Sequence, residues 1–320
     1  MSSLPRVARM VLFCALVLML FLPVAQASDD RLGFAVRFQD TINAWSVLGV
    51  YTMPGQRVDL TVVQGKGGRY VVSDPHGNTR EIGRTNWQWR APREPGLYPI
   101  RITRLDTQEV MTLNLFVKVP RHKKRNGVLN GYRIGEYPRQ PYRGLSTYKP
   151  PPGFIEVTPE TENVHVSPHF TLGQFVSKQG GDYPRYVVLR EPLLLMLEKI
   201  LAEVRVEGIE ADTLEILSGY RTPWYNASIG NGRNSRHIYG GAADIYIDQN
   251  PRNGQMDDLN GDGRADVQDA FLLAGIVERV QSRNTVADLT GGIGVYGPRP
   301  HRGPFVHVDA RGFEARWEFP

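Results

Sequence analysis

Between residues 31 and 120 apolar and polar positions alternate in short runs: VDLTVV, RYVVSD, LYPIRITRL and MTLNLFVKV. Period-two alternation rich in Val, Ile, Leu, Thr and Tyr marks strands with one buried face. Turn residues separate the runs at Pro54-Gly55, Gly65-Lys66-Gly67-Gly68, Pro75-His76-Gly77 and Pro95-Gly96. Strands this short and evenly spaced predict an all-β sandwich over 28–120. The period then changes. In REPLLLMLEKILAEVRV, from Arg190 to Val206, Leu193, Leu194, Leu197, Ile200, Leu201 and Val204 recur at helical spacing, which predicts a core helix. LEILSGYRT, GGAADIYID and PFVHVDA read as three further strands. The stretch 121–165, rich in Arg, Lys, Gly, Tyr and Pro, reads as an extended linker lying partly over a surface, because proline fixes φ and removes a donor. The expected architecture is therefore multidomain: an N-terminal sandwich, a linker, and an α+β domain over 166–320 with a small, mainly antiparallel sheet.

Composition adds compartment and partner. A chain of 320 residues suits about two domains. Arg6 and Arg9 precede an apolar run, Met10 to Val24, and the small-x-small triplet Ala25-Gln26-Ala27. This reads as a signal peptide over 1–27 and predicts export to the periplasm or cell envelope. The run is short for a membrane span of about 20 residues; an uncleaved anchor is the alternative. The only cysteine, Cys14, lies inside it, so a cleaved chain has neither disulfide nor thiol chemistry. The net charge of +5, from 38 basic and 33 acidic residues, suits an anionic surface such as a cell wall. RHKKR at 121–125 reads as a solvated run, and no nucleic-acid motif accompanies it.

The chemistry concentrates in SGYRTPWYNASIGNGRNSRHIYGGAADIYID, which starts at Ser218. His237 and Asp244 stand in the frame S-x-H-x-x-G-x-A-x-D, and PFVHVDARG adds His307 and Asp309. Two imidazoles and one carboxylate can hold one zinc and leave a fourth position open. The H-x6-D spacing alone does not specify zinc. His76, His122, His165 and His169 lack such a frame and read as surface or core residues.

SGYRTPWYN, SRHIYGGAAD and FVHVDARG, in this order, resemble the M15 family of zinc D,D-peptidases, D-alanyl-D-alanine carboxypeptidases and murein endopeptidases among them. The resemblance covers roughly Val166 to Pro320. It implies His237, Asp244 and His307 as zinc ligands, Arg221 as the cation for a developing oxyanion, and Ser235 as a hydrogen-bonding support. It also implies a peptide substrate from peptidoglycan containing D-amino acids. Some members carry a glutamate as general base three residues before the last histidine; here that position is Pro304. Asp309 is the first candidate for the base, since the second residue along a strand shares its face. Orienting His307 is its other possible role. His301 and Glu314 follow as candidates.

DLNGDGRADVQD, Asp258 to Asp269, matches a calcium loop, with Asp258, Asn260, Asp262, the Arg264 carbonyl, Asp266 and Asp269 as ligands. It resembles dockerin and EF-hand repeats; an acidic turn capping a helix is the alternative. WQWRAPREPGLYPIRI resembles late strands of bacterial immunoglobulin-like modules, a possible contact for other wall proteins. Together these readings predict an exported zinc peptidase acting on peptidoglycan peptides. The rival is a non-catalytic wall-binding or regulatory protein that has kept the fold.

Overall fold

A computed structural model of the chain describes residues 30–283 and 289–319. The expected signal peptide and Cys14 lie outside the described residues. Nine strands come first: β1 (Arg31–Phe38), β2 (Thr41–Trp45), β3 (Val47–Thr52), β4 (Arg57–Gln64), β5 (Tyr70–Ser73), β6 (Thr79–Gly83), β7 (Asn86–Arg90), β8 (Gly96–Arg104) and β9 (Val110–Val117). They form two sheets, ordered β2-β1-β4-β7-β6 and β3-β9-β8-β5. The alternation read in VDLTVV is a burial pattern: Val58, Leu60 and Val62 point inward from β4. Phe34 and Trp89 from the first sheet and Leu48, Ile100 and Leu113 from the second are fully buried in a common core.

The segment expected to be a linker is built into the body. β10 (Val119–Pro120) leads to a small hairpin of β11 (Val128–Leu129) and β12 (Tyr132–Arg133), then to β13 (Gly153–Val157). Leu129, Ile134, Tyr148, Phe154 and Val157 from this stretch are buried. The three prolines before Gly153 keep the chain extended, and the apolar run behind them can therefore pair as a strand. After a second small hairpin, β14 (His165–Ser167) with β15 (Phe170–Thr171), comes β16 (Arg185–Val187), which completes the sheet β10-β13-β16.

The helix expected over 190–206 is α1 (Glu191–Val206), with Leu193, Leu194, Leu197, Ile200, Leu201 and Val204 buried. The order continues β17 (Glu215–Ser218), α2 (Pro223–Ser228), β18 (Ala242–Tyr246), α3 (Val267–Ser282), β19 (Gly292–Tyr296), β20 (Phe305–Asp309) and β21 (Ala315–Phe319). These strands form one sheet, β17-β18-β20-β19-β21, antiparallel except where β21 joins β19. α3 packs on β19 and β20 and against α1. The buried apolar residues of the N-terminal sheets and of this sheet belong to one contiguous cluster. No helix among the described residues is long and apolar enough to cross a membrane.

Candidate metal centre

Strand register builds the centre. In the last sheet Ser218 pairs with Asp244, Asp244 with His307, His307 with Gly294, and Gly294 with Trp317. Directly opposed residues on neighbouring strands stand side by side on one face, so Asp244 and His307 meet without help from a loop. His237 arrives from a 3-10 turn, Arg236–Tyr239, just before β18. That turn ends at Gly240 with φ of 66°, and a Cβ there would lie 2.2 Å from the Val188 carbonyl oxygen. The glycine of the H-x-x-G frame is thus demanded twice, by the left-handed cap and by the crossing chain.

Three ligand atoms converge. His237 Nε2 lies 3.1 Å from His307 Nδ1 and 3.2 Å from Asp244 Oδ1, and His307 Nδ1 lies 2.9 Å from the same oxygen. Tetrahedral zinc with bonds of about 2.0–2.1 Å sets its ligand atoms about 3.3 Å apart, close to this triangle. The outer hydrogen bonds fix the tautomers. His237 Nδ1 faces the Gly219 carbonyl at 2.6 Å, and a carbonyl only accepts, so Nδ1 carries the proton and Nε2 is bare. His307 Nε2 donates to Asp309 Oδ2 at 3.0 Å, which leaves Nδ1 of the neutral ring bare. Two lone pairs and a carboxylate oxygen therefore point at one spot with no positive charge between them. A divalent cation completes such a donor set, and these residues fit zinc. Among the described residues this is the one group of three His, Cys, Asp or Glu whose ligand atoms all lie within 4.8 Å of one another.

Charge follows the same geometry. Burial acts to raise the Asp244 carboxyl, but His237, His307 and Arg221 outweigh it and hold it well below the usual carboxylate range. Burial pushes His237 down, against the pull of Asp244. Burial opposes His307 as well, but its bonds to Asp244 and Asp309 prevail and raise it. The metal-free pair is thus poised with His237 neutral and His307 holding any shared proton.

The structure assigns distinct places to the other candidates. Arg221 pairs through Nη2 with Asp244 Oδ2, and its Nε donates to Ser218 Oγ at 2.8 Å. It therefore sets the ligand carboxylate as well as facing the cavity. Asp309 is fully buried behind His307, tied to Arg311 and to the Gly292 amide at 3.1 Å. Its bond to His307 Nε2 has the geometry of the orienting role, and it does not line the cavity where a general base must stand. Ser235 lines the cavity as the residue before the 3-10 turn, and its hydroxyl bonds none of the three ligands directly. His301 lies in a different pocket, beside Gln255 and Pro304, and Glu314 is exposed away from the site.

The cavity over the centre measures about 320 Å³. Asp244 is its only carboxylate among the described residues; Arg221, Arg236, Arg302 and Arg311 also line it. Two aromatic residues escaped the sequence reading. Trp317 packs against His307 with ring centroids 5.1 Å apart, and its Nε1 donates to the Tyr296 hydroxyl at 2.9 Å. Gly294 makes this possible, since a Cβ there would lie 2.3 Å from Trp317 Nε1. Burial and the Asp244 charge raise the Tyr296 phenol against the Trp317 bond, so it keeps its proton at neutral pH, and that proton is free to donate into the cavity. Tyr296, two residues along β19 from Gly294, shares its face, and the pairing of Gly294 with His307 shows that this is the face of the centre.

The expected calcium loop is a turn whose carboxylates bond nearby amides. Asp258 accepts the amides of Gly261 and Gly263 at 2.8 and 2.7 Å, and Asp262 that of Arg264 at 3.0 Å. Asp269, fully buried, accepts those of Leu259, Asn260 and Asp266 at 2.8, 3.2 and 2.7 Å. Asp266 and Asp269 form a capping box at the start of α3. The carboxylates of Asp258, Asp262, Asp266 and Asp269 do not gather around one point, and calcium gains no support from the loop.

The sequence profile of the Peptidase M15 family matches residues 177–259. The matched stretch holds Arg221, His237 and Asp244 and ends before His307. It supports a place in that peptidase family. No curated protein matches the chain. Among solved structures, the LD transpeptidase LdtMt1 in complex with imipenem is similar over 26% of this chain and 39% of its own, with 14% identity and a TM-score of 0.15. The S-layer protein rSbsC is similar over 27% of this chain and 13% of its own, with 16% identity and a TM-score of 0.17. The chain thus spans well under half of either protein, and likenesses this slight bear on neither fold nor function.

Proposed function

We propose that this chain is an exported zinc peptidase that hydrolyses stem or cross-link peptides of peptidoglycan containing D-amino acids. The observation that carries this reading is the meeting of His237, Asp244 and His307 with their bare ligand atoms within 4.8 Å, inside a cavity large enough for a peptide segment. The Peptidase M15 match over 177–259 supports it. Zinc held by these three residues would supply Lewis acidity for hydrolysis of an amide.

The chain's own residues do the rest. Gly219 and Asp309 hold the two imidazoles in the tautomers that leave their inner nitrogens bare. Arg221 keeps Asp244 aimed at them, and its Nη1, bonded to no described residue, is available to charge developing on the carbonyl oxygen. Tyr296 holds its proton and lines the cavity, which suits it to protonate the departing amine and to recover a proton from the water-derived hydroxyl. The sandwich of β1 to β9, read as an immunoglobulin-like module, would address the enzyme to the wall and to other wall proteins.

One observation favours a second reading. Apart from Asp244 no carboxylate among the described residues lines the cavity, which leaves the general-base position without a carboxylate and suits a non-catalytic wall-binding protein. Elemental analysis of the purified protein followed by mass spectrometry of digested peptidoglycan decides between them. The proposal expects about one zinc per chain and altered muropeptides. Loss of a terminal D-Ala marks a carboxypeptidase, and conversion of dimers to monomers marks an endopeptidase. Unchanged muropeptides at full zinc occupancy would leave the non-catalytic reading.

A further inference from the structure

The four guanidinium groups around the cavity are not equivalent. Arg221 is paired with Asp244 and Arg311 with Asp309. Arg236 and Arg302 have no carboxylate within ion-pair distance among the described residues. Arg236 is 2% exposed and spends its bonds on backbone carbonyls, Nη1 on Thr147 at 2.6 Å and Nη2 on Ala310 at 3.4 Å, while its buried Nε has no partner.

Arg302 is the more telling of the two. It sits at the end of a tight turn closed by reciprocal backbone bonds with Arg299, and its guanidinium lies over the Phe305 ring, 4.6 Å from the centroid. Nη1 donates to the carbonyls of Gly297 at 2.7 Å and Gly303 at 3.1 Å. Nε and Nη2 bond no described residue. That edge, two parallel N–H groups held flat by an aromatic ring, is the fork that matches a carboxylate with two bonds. Two buried or half-buried cations without counter-ions in one cavity are costly unless the ligand brings the missing charge.

We propose that Arg302, within the field of Arg236, forms an anion subsite beside the metal centre, so that the favoured substrate carries a free carboxylate next to the scissile bond. The inference rests on the peptidase reading and narrows its substrate class. A C-terminal D-amino acid or an amino-diacid side chain within the peptide could supply the carboxylate.

Four peptides on the zinc-loaded full chain test it. One pair is an acyl-D-Ala-D-Ala ending in a free carboxylate and the same peptide ending in a primary amide. The other pair keeps the amide end and places an amino-diacid or a lysine beside the scissile bond. The wild-type protein should prefer the carboxylate-bearing member of at least one pair by about tenfold or more in kcat/KM, and the pair that responds identifies the source. Arg302→Gln should reduce that preference to about threefold or less, mainly through KM, with zinc content unchanged. Arg302→Lys, which keeps the charge but not the fork, should fall between. Calorimetric binding of the same peptides to the wild-type and Arg302→Gln proteins separates the two hypotheses. If no peptide is cleaved but the acid still binds about tenfold tighter than its partner and Arg302→Gln abolishes the difference, the subsite stands and the peptidase reading falls. Equal binding of acids and their neutral partners overturns the subsite whatever the activity. So does a preference that survives Arg302→Gln, since the metal alone would then account for it.

Discussion

His307 is the residue on which the centre turns, because each of its ring nitrogens has a separate task. Nδ1 faces Asp244 and His237, while Nε2 is held at 3.0 Å by Asp309. Replacing Asp309 by Asn keeps the shape but removes the charge that makes the imidazole a strong donor. Zinc affinity should fall by about 10–100-fold, measured by competition with a chromophoric chelator, and unchanged affinity would remove Asp309 from its orienting role. Tyr296 tests the proton path. Tyr296→Phe should lower kcat by about 100-fold with zinc stoichiometry intact, and full activity in this variant would exclude the phenol as the acid. The three ligands were legible because His237 and Asp244 stand in the S-x-H-x-x-G-x-A-x-D frame and His307 in FVHVDARG, and the resemblance carried by these motifs implies a ligand set that the spacing alone does not specify. Tyr296 and Trp317 were not, since an aromatic residue in a strand reads as ordinary β-propensity until the register with His307 is known.

At the scale of the element, the stretch 258–269 shows how one pattern serves two physical ends. Asp and Asn at alternate positions around glycine make calcium loops, and they also make turns in which short carboxylates bond nearby amides. In the structure the carboxylates bond nearby amides, Asp269 three of them from full burial. Asp269→Ala strands those donors at the head of α3, and unfolding in urea should show a loss of about 2–3 kcal/mol. If these amide bonds alone hold the turn, the melting temperature should be the same in chelator and in millimolar calcium. A rise with calcium would restore the ligand set read from the sequence. The helix that opens at Asp266 was legible as the capped helix of the alternative reading, whereas β13 was hidden by the prolines in front of it.

At the scale of the whole molecule, the periods in the sequence separated a β-rich half from an α+β half but did not show how they meet. Period reports which face of an element is buried, not what buries it. The meeting is close: Asn114 Nδ2 of β9 donates to the His165 carbonyl at 2.8 Å, and the Tyr51 amide of β3 donates to Glu191 Oε1 at 3.1 Å. Glu191 opens α1, and burial, partly offset by the Tyr51 bond and by Lys118, raises its carboxyl above the ordinary value. The folded state therefore binds this proton more tightly than the unfolded chain, whose glutamate titrates near about 4.3. Its stabilising contribution is complete below that pH and is lost as the pH rises through the raised folded value. Glu191→Gln keeps an acceptor for the Tyr51 amide and abolishes the titration. The difference in melting temperature between variant and wild type should thus shift in favour of glutamine from pH 4 to pH 7, by a few degrees at most in a chain of this size. A difference that stays constant across that range would mean that Glu191 meets water freely. The contact between β3 and α1 would then be looser than the packing of the two halves implies.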